Sequence, residues 1–178
     1  MAANVDTSIS EITGGCLCGS IQYTIHFNDD HPWPPKSASC QCTMCRKWTA
    51  SLFPQFLTLA AKQITPDLST YSTYKEYRSS ETCLRGFCAQ CGSSLLWRAE
   101  EDPDKIDVFL GTVDEKWLVE QKADVATATA QVDSESIGKT LGTPMHAQYY
   151  YENVIKGVTD FVQGGKRYLT HPSKCEGF

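Results

Sequence analysis

Apolar and polar residues alternate along several short stretches of the chain. Residues 21–25, Ile-Gln-Tyr-Thr-Ile, are the clearest case. Successive side chains of a strand point to opposite faces, so a period of two predicts a half-buried strand. Residues 55–59, 71–77, 94–98 and 106–110 read the same way. Pro66-Asp67 and Pro103-Asp104 punctuate them as turns. Residues 31–36 hold three prolines and read as a loop, because proline cannot sit inside a sheet. Residues 145–151 and 153–155 return to strand character. No long segment repeats its apolar positions every 3.6 residues, and residues 46–52 offer at most one short helical turn. The pattern therefore predicts an all-β fold.

Two regions fall outside the pattern. Residues 1–13 read as a loose N-terminal tail. Residues 122–143 are rich in Ala, Thr, Ser and Gly and read as a long surface loop with some helix. At 178 residues the chain is long enough for one domain with a real core. That domain is expected over 14–170, followed by a short tail over 171–178.

Seven of the nine cysteines change the picture, because they fall into three clusters. These are Cys16-Leu-Cys18, Cys40-Gln-Cys42-Thr-Met-Cys45 and Cys88-Ala-Gln-Cys91. Such spacings let one turn of backbone present two thiolates to a metal. Gly14, Gly15 and Gly19 permit the bend that a CxC pair needs, and Gly92 follows the last pair. Two pairs from distant segments make a closed four-thiolate zinc site of Cys16, Cys18, Cys88 and Cys91. Cys40, Cys42 and Cys45 leave a fourth position open. Either Cys83 or His146 completes it as a second structural site, or it is exchangeable, as in a catalytic zinc. The odd cysteine count argues against a disulfide framework. So does the start of the chain, which has no apolar run, and we expect a reducing, cytoplasmic location without a membrane span. The net charge is −5 and no dense Lys/Arg run occurs, so nucleic acid is not an expected partner. Homo-oligomerisation stays open.

The motifs Gly14-Gly-Cys-Leu-Cys-Gly19, Cys40-Gln-Cys-Thr-Met-Cys-Arg-Lys47 and Arg85-Gly-Phe-Cys-Ala-Gln-Cys-Gly-Ser93 come in a fixed order. In that order and spacing the chain resembles the glutathione-dependent formaldehyde-activating family, which includes centromere protein V. The resemblance runs from about residue 12 to about residue 160. It implies a β-tent of small antiparallel sheets carrying two zinc ions. Cys16, Cys18, Cys88 and Cys91 would hold the structural ion, and Cys40, Cys42 and Cys45 the catalytic one. Leu17 and Gln41 depart from the family, where many members have His. His146 resembles the family histidine that precedes a late strand.

A three-thiolate zinc suits sulfur chemistry: it can hold a substrate thiol as thiolate or polarise a carbonyl. The expected function is thus a carbon–sulfur lyase or thiol-adduct enzyme acting on a thiol such as glutathione and an aldehyde. Two other readings remain open. One is a non-catalytic zinc-stabilised binding module. The other is a diverged zinc enzyme performing elimination, cyclisation or hydrolysis on a specialised metabolite. Arg46, Trp48 and His146 are the candidate substrate contacts, with surface or core placement as the alternative for each. Cys83 reads as a small buried residue and Cys175 as an exposed thiol.

Overall fold

The computed structural model describes residues 9–119 and 136–172. Most of the Ala/Thr-rich stretch and Cys175 therefore lie outside the described residues. The elements are strands β1 (Glu11–Gly15), β2 (Gln22–His26) and β3 (Lys36–Cys40), helix α1 (Thr43–Thr49), then β4 (Gln55–Ala60), β5 (Ile64–Thr65), β6 (Tyr74–Arg78), β7 (Cys83–Cys88), β8 (Ser94–Ala99) and β9 (Lys105–Phe109). Short helices α2 (Glu115–Leu118) and α3 (Ile137–Gly142) precede β10 (Ala147–Tyr149) and β11 (Lys166–Arg167). The fold is all-β. Strands β1-β2-β5 form a small sheet, and β11-β10-β3-β4-β9-β8-β7-β6 form a sheet of eight.

The alternation seen in the sequence sorts the residues. In β1 and β2 the side chains of Ile12, Tyr23 and Ile25 point inward. They meet Leu57, Leu59, Leu96, Ile106 and Val108 from the large sheet in one dry core. The opposite face of the large sheet carries Ala38, Cys40, Phe56 and Phe109, and packs against α1. Strands β4 and β9 are thus apolar on both faces, because both faces are covered.

Several expectations shift. Strand β1 begins at Glu11, inside the expected tail, because Ile12 is needed in the core. The sheets are not wholly antiparallel: β10 runs parallel to both β3 and β11. Parallel neighbours need a long crossover, and more than a hundred residues separate β3 from β10. The strand expected over 71–77 starts only at Tyr74, after a 3-10 turn over Leu68–Thr70. The strand expected over 153–155 is absent, replaced by a 3-10 turn over Tyr151–Asn153. Helix α1 starts three residues before the expected turn, because Cys42 caps it with its own sulfur. Strands β3 and β7 were hidden in the sequence by their cysteine motifs and lack of alternation; both are buried on two faces.

Leu57 is fully buried between β3 and β9. Leu57→Ala should cost about 2–5 kcal/mol, since it removes the buried isopropyl group beyond Cβ and leaves a cavity. Urea denaturation should show the midpoint falling with an unchanged slope; a loss under about 1 kcal/mol would mean that the sheets can close over the gap.

Candidate metal centres

The first cluster joins the two sheets. Strand β1 runs into a tight turn in which Gly19 N–H donates to the Cys16 carbonyl at 3.0 Å. Strand β7 ends at Cys88, and Gly92 N–H closes the second turn on the Cys88 carbonyl at 2.8 Å. Gly19 and Gly92 have φ of 75° and 78°, a conformation that a side chain would strain. Leu17 N–H donates to Ser93 Oγ at 3.0 Å, linking one turn to the other. The sulfurs of Cys16, Cys18, Cys88 and Cys91 all lie within 4.8 Å of one another. Cys16 and Cys18 are 3.5 Å apart, and Cys18 and Cys88 are 3.8 Å apart. Thiolates bound tetrahedrally at a zinc–sulfur distance of about 2.3 Å lie about 3.8 Å from one another, so the donor set fits zinc. The Ser93 hydroxyl and N–H pull the Cys91 thiol down to about 5.

The second cluster sits on the other face of the large sheet. Cys40 ends β3, and Cys42 and Cys45 come from the first turn of α1 and its cap. Cys45 N–H donates to Cys42 Sγ at 3.3 Å. Gln41, between the ligands, turns the opposite way and is buried. Its side-chain oxygen accepts from Thr159 Oγ1 at 2.6 Å and from Arg46 Nη2 at 2.8 Å. With Gln41 pinned behind, Cys40 and Cys42 face the same side. The sulfurs of Cys40, Cys42 and Cys45 lie within 4.8 Å of one another. Cys42 is pulled down to about 2, first by hydrogen bonding with Cys40 and then with Cys45. The same contacts, followed by burial, push Cys40 well above an ordinary thiol. Cation uptake would displace the protons that the three thiols carry.

These sulfurs open into a cavity of about 60 Å³, room for a few water-sized groups. Phe56, Phe109, Trp97 and Tyr149 form apolar walls, and Arg85 and Asp107 supply charge. Burial pushes Asp107 up to about 6 against the lowering effect of Thr58, whose Oγ1 donates to it at 2.7 Å. Tyr149 is stacked between Phe56 and Tyr168, 6.4 Å and 5.6 Å away, and His171 approaches it at 4.4 Å. His171 therefore packs at the cavity although the sequence reading put it in a tail.

Neither alternative fourth ligand joins the three sulfurs. Cys83 lines the cavity but stands outside the cluster, and His146 is exposed at the start of β10. The three expected substrate contacts are placed elsewhere. Arg46 braces the backbone, donating to Asn153 O at 2.7 Å and Leu52 O at 3.1 Å as well as to Gln41. Trp48 packs between Tyr77 and Phe87 and under the Arg85 guanidinium, outside the cavity lining. His146 uses its backbone N–H to reach Ser37 O at 2.9 Å and does not line the cavity. The sequence reading missed Arg85 and Asp107. A strand period would have found them: Arg85 lies two residues after buried Cys83, and Asp107 two before buried Phe109.

Comparisons with known proteins follow the same motifs. The family model described as glutathione-dependent formaldehyde-activating enzyme matches residues 11–129. An uncharacterized lyase of Schizosaccharomyces pombe is 32% identical over 87 residues, which cover 49% of this chain and 57% of that protein. The chain thus spans little more than half the length of that relative. A crystal structure of a Rhodobacter sphaeroides protein is 17% identical, covers 58% of this chain and 89% of its own, and superposes with a TM-score of 0.45.

The raised Asp107 pKa has a sign that can be checked. A carboxyl whose folded pKa lies above its unfolded value of about 3.9 favours the fold most at low pH, and this contribution is lost as pH rises through about 6. Asp107→Asn, which still accepts from Thr58, should raise the melting temperature above pH 7 and leave it nearly unchanged below pH 4. Equal shifts at both pH values would show that Asp107 titrates alike in the folded and unfolded chain.

Proposed function

The chain belongs to the glutathione-dependent formaldehyde-activating family, and on that premise we propose that it is a zinc enzyme joining or cleaving a carbon–sulfur bond. The substrates would be a thiol such as glutathione and an aldehyde-type carbonyl. Cys16, Cys18, Cys88 and Cys91 would hold one zinc ion, and Cys40, Cys42 and Cys45 a second with a free position. The observation that carries this reading is the contrast between the two sulfur sets: four in a closed group, and three facing a cavity with no fourth sulfur or imidazole in the group among the described residues.

The ion at the three-cysteine site would supply Lewis acidity and stabilise a bound thiolate. The protein's own residues supply the rest. Phe56, Phe109 and Tyr149 exclude water, which strengthens every charge interaction inside. The cavity admits a small carbonyl and the sulfur end of the thiol, so the body of a peptide thiol would stay outside it. Asp107, half-buried and shifted toward neutral pH, is suited to exchange a proton with the adduct oxygen. The cavity favours an enzyme over a pure binding module. All eight cysteines among the described residues are free thiols, which fits a reducing, cytoplasmic setting. No helix among the described residues is long and apolar enough to cross a membrane.

Two single substitutions test the division of labour. Cys42→Ser should abolish the protein's acceleration of adduct exchange between glutathione and formaldehyde, followed by NMR against the uncatalysed rate, and lower the zinc content from two ions to one. Its melting temperature should move little, because the ligands come from one short segment. Cys91→Ser should destabilise the fold severely, because ligands from both sheets lose their common ion. If Cys42→Ser unfolds the chain as badly as Cys91→Ser, the middle cluster is structural and the enzyme reading fails.

A further inference from the structure

One group in the cavity has no assigned use. Arg85 is 3% exposed, so its guanidinium is held almost wholly out of water. Its charge is met on one side: Nη2 donates to Cys45 Sγ at 3.6 Å. Its Nε donates to Ser79 Oγ at 3.1 Å, and the Trp48 ring lies 5.9 Å beneath it. These contacts fix the plane of the group. Among the described residues no carboxylate forms an ion pair with it, and Nη1 has no hydrogen-bond partner at all. A buried donor left unmade costs roughly 1–3 kcal/mol, and more when it is charged. A fully desolvated Arg kept in this state beside a reactive cavity points to a ligand that completes it.

The geometry also places the ligand's oxygen. Of the five N–H groups of the guanidinium, Nε–H and one on Nη2 are engaged, whereas Nη1 keeps both of its hydrogens unpaired. The neighbouring nitrogen of the same guanidinium touches Cys45 Sγ, so an oxygen on Nη1 would lie close to anything bound at the sulfur cluster.

We infer that Arg85 Nη1 is the oxyanion donor of this site, binding the single oxygen of a carbonyl substrate as it becomes an alkoxide. This rests on the reading of the three-cysteine site as the reaction centre. In the forward direction the thiol first loses its proton to solvent. The lone pair of the thiolate sulfur then forms the carbon–sulfur bond, and the carbonyl π pair moves onto oxygen. That alkoxide accepts the Nη1 hydrogen bond until Asp107, which lines the same cavity, hands it a proton taken from solvent. In the reverse direction the hydroxyl loses that proton, the carbon–oxygen double bond reforms and the thiolate departs. The hydrogen bond strengthens only as charge develops, which is the requirement for rate acceleration.

The test compares two small probes on the zinc-loaded full chain by titration calorimetry. Thioacetate carries, on the same carbon as its sulfur, an oxygen that shares its negative charge, and ethanethiol has the sulfur alone. Arg85→Met should weaken thioacetate roughly ten- to a hundredfold more than ethanethiol, the range of a charged hydrogen bond. Zinc content and circular dichroism are measured on the same samples. If Arg85→Met loses zinc, Arg85→Lys decides: it keeps the charge but loses the planar fork, and thioacetate should again lose more than ethanethiol. If both probes weaken equally in the variant that holds zinc, Arg85 serves only as a counter-charge to the sulfurs and the assignment is wrong. If the unsubstituted protein binds neither probe, the open-site reading itself falls.

Discussion

The convergence of four sulfurs from segments seventy residues apart governs this structure. Cys16 and Cys18 follow the first strand of the small sheet, and Cys88 and Cys91 follow a strand of the large one. Their sulfurs can share one ion only if the two sheets meet at a set distance and angle. That requirement aligns Ile12, Tyr23 and Ile25 over Leu57, Ile106 and Val108, so that the dry core forms where the turns bring it. Closing so long a loop costs chain entropy, and an ion held by both ends would offset it.

With one face of the large sheet committed to that core, the other face is left for chemistry. The strands hand it a row of side chains in register: Thr58 opposite Asp107, Asp107 opposite Trp97, and Trp97 opposite Arg85. The late strand β10 then adds Tyr149 beside Cys40. The acid and the guanidinium thus stand two strands apart on one surface, about 10 Å by strand spacing, with the apolar ring between them keeping them from neutralising each other. Behind the cysteines, the buried amide of Gln41 is tied to Arg46 and Thr159, so the ligand loop is held from outside the cavity. Rigid support of this kind would let three sulfurs on a short segment keep their geometry.

Much of this was legible in the chain. Alternation located β2, β4, β8 and β9 to within a residue or so, because each has at least one face decided by burial. Cysteine spacing divided the sulfurs into the same sets of four and three that the fold assembles. What stayed hidden depended on long-range partners. β3 and β7 are covered on both sides and show no alternation. The parallel placement of β10 is set by β3, over a hundred residues earlier. Arg46 beside a ligand reads in sequence as a substrate contact, and only the positions of Gln41, Leu52 and Asn153 show that it is a brace. Arg85 lies inside a motif whose cysteines draw the eye, and its burial cannot be seen until Trp48 and Ser79 are in place.

The central claim is that the two sulfur clusters hold zinc in different ways, one closed by the protein and one left open to substrate. X-ray absorption at the zinc edge of the metal-loaded chain measures this directly. The account predicts two zinc ions per chain, an average sulfur number between three and four, and a light-atom ligand that thioacetate replaces with sulfur. Four sulfurs on every zinc before any ligand is added, or a single zinc per chain, would contradict it.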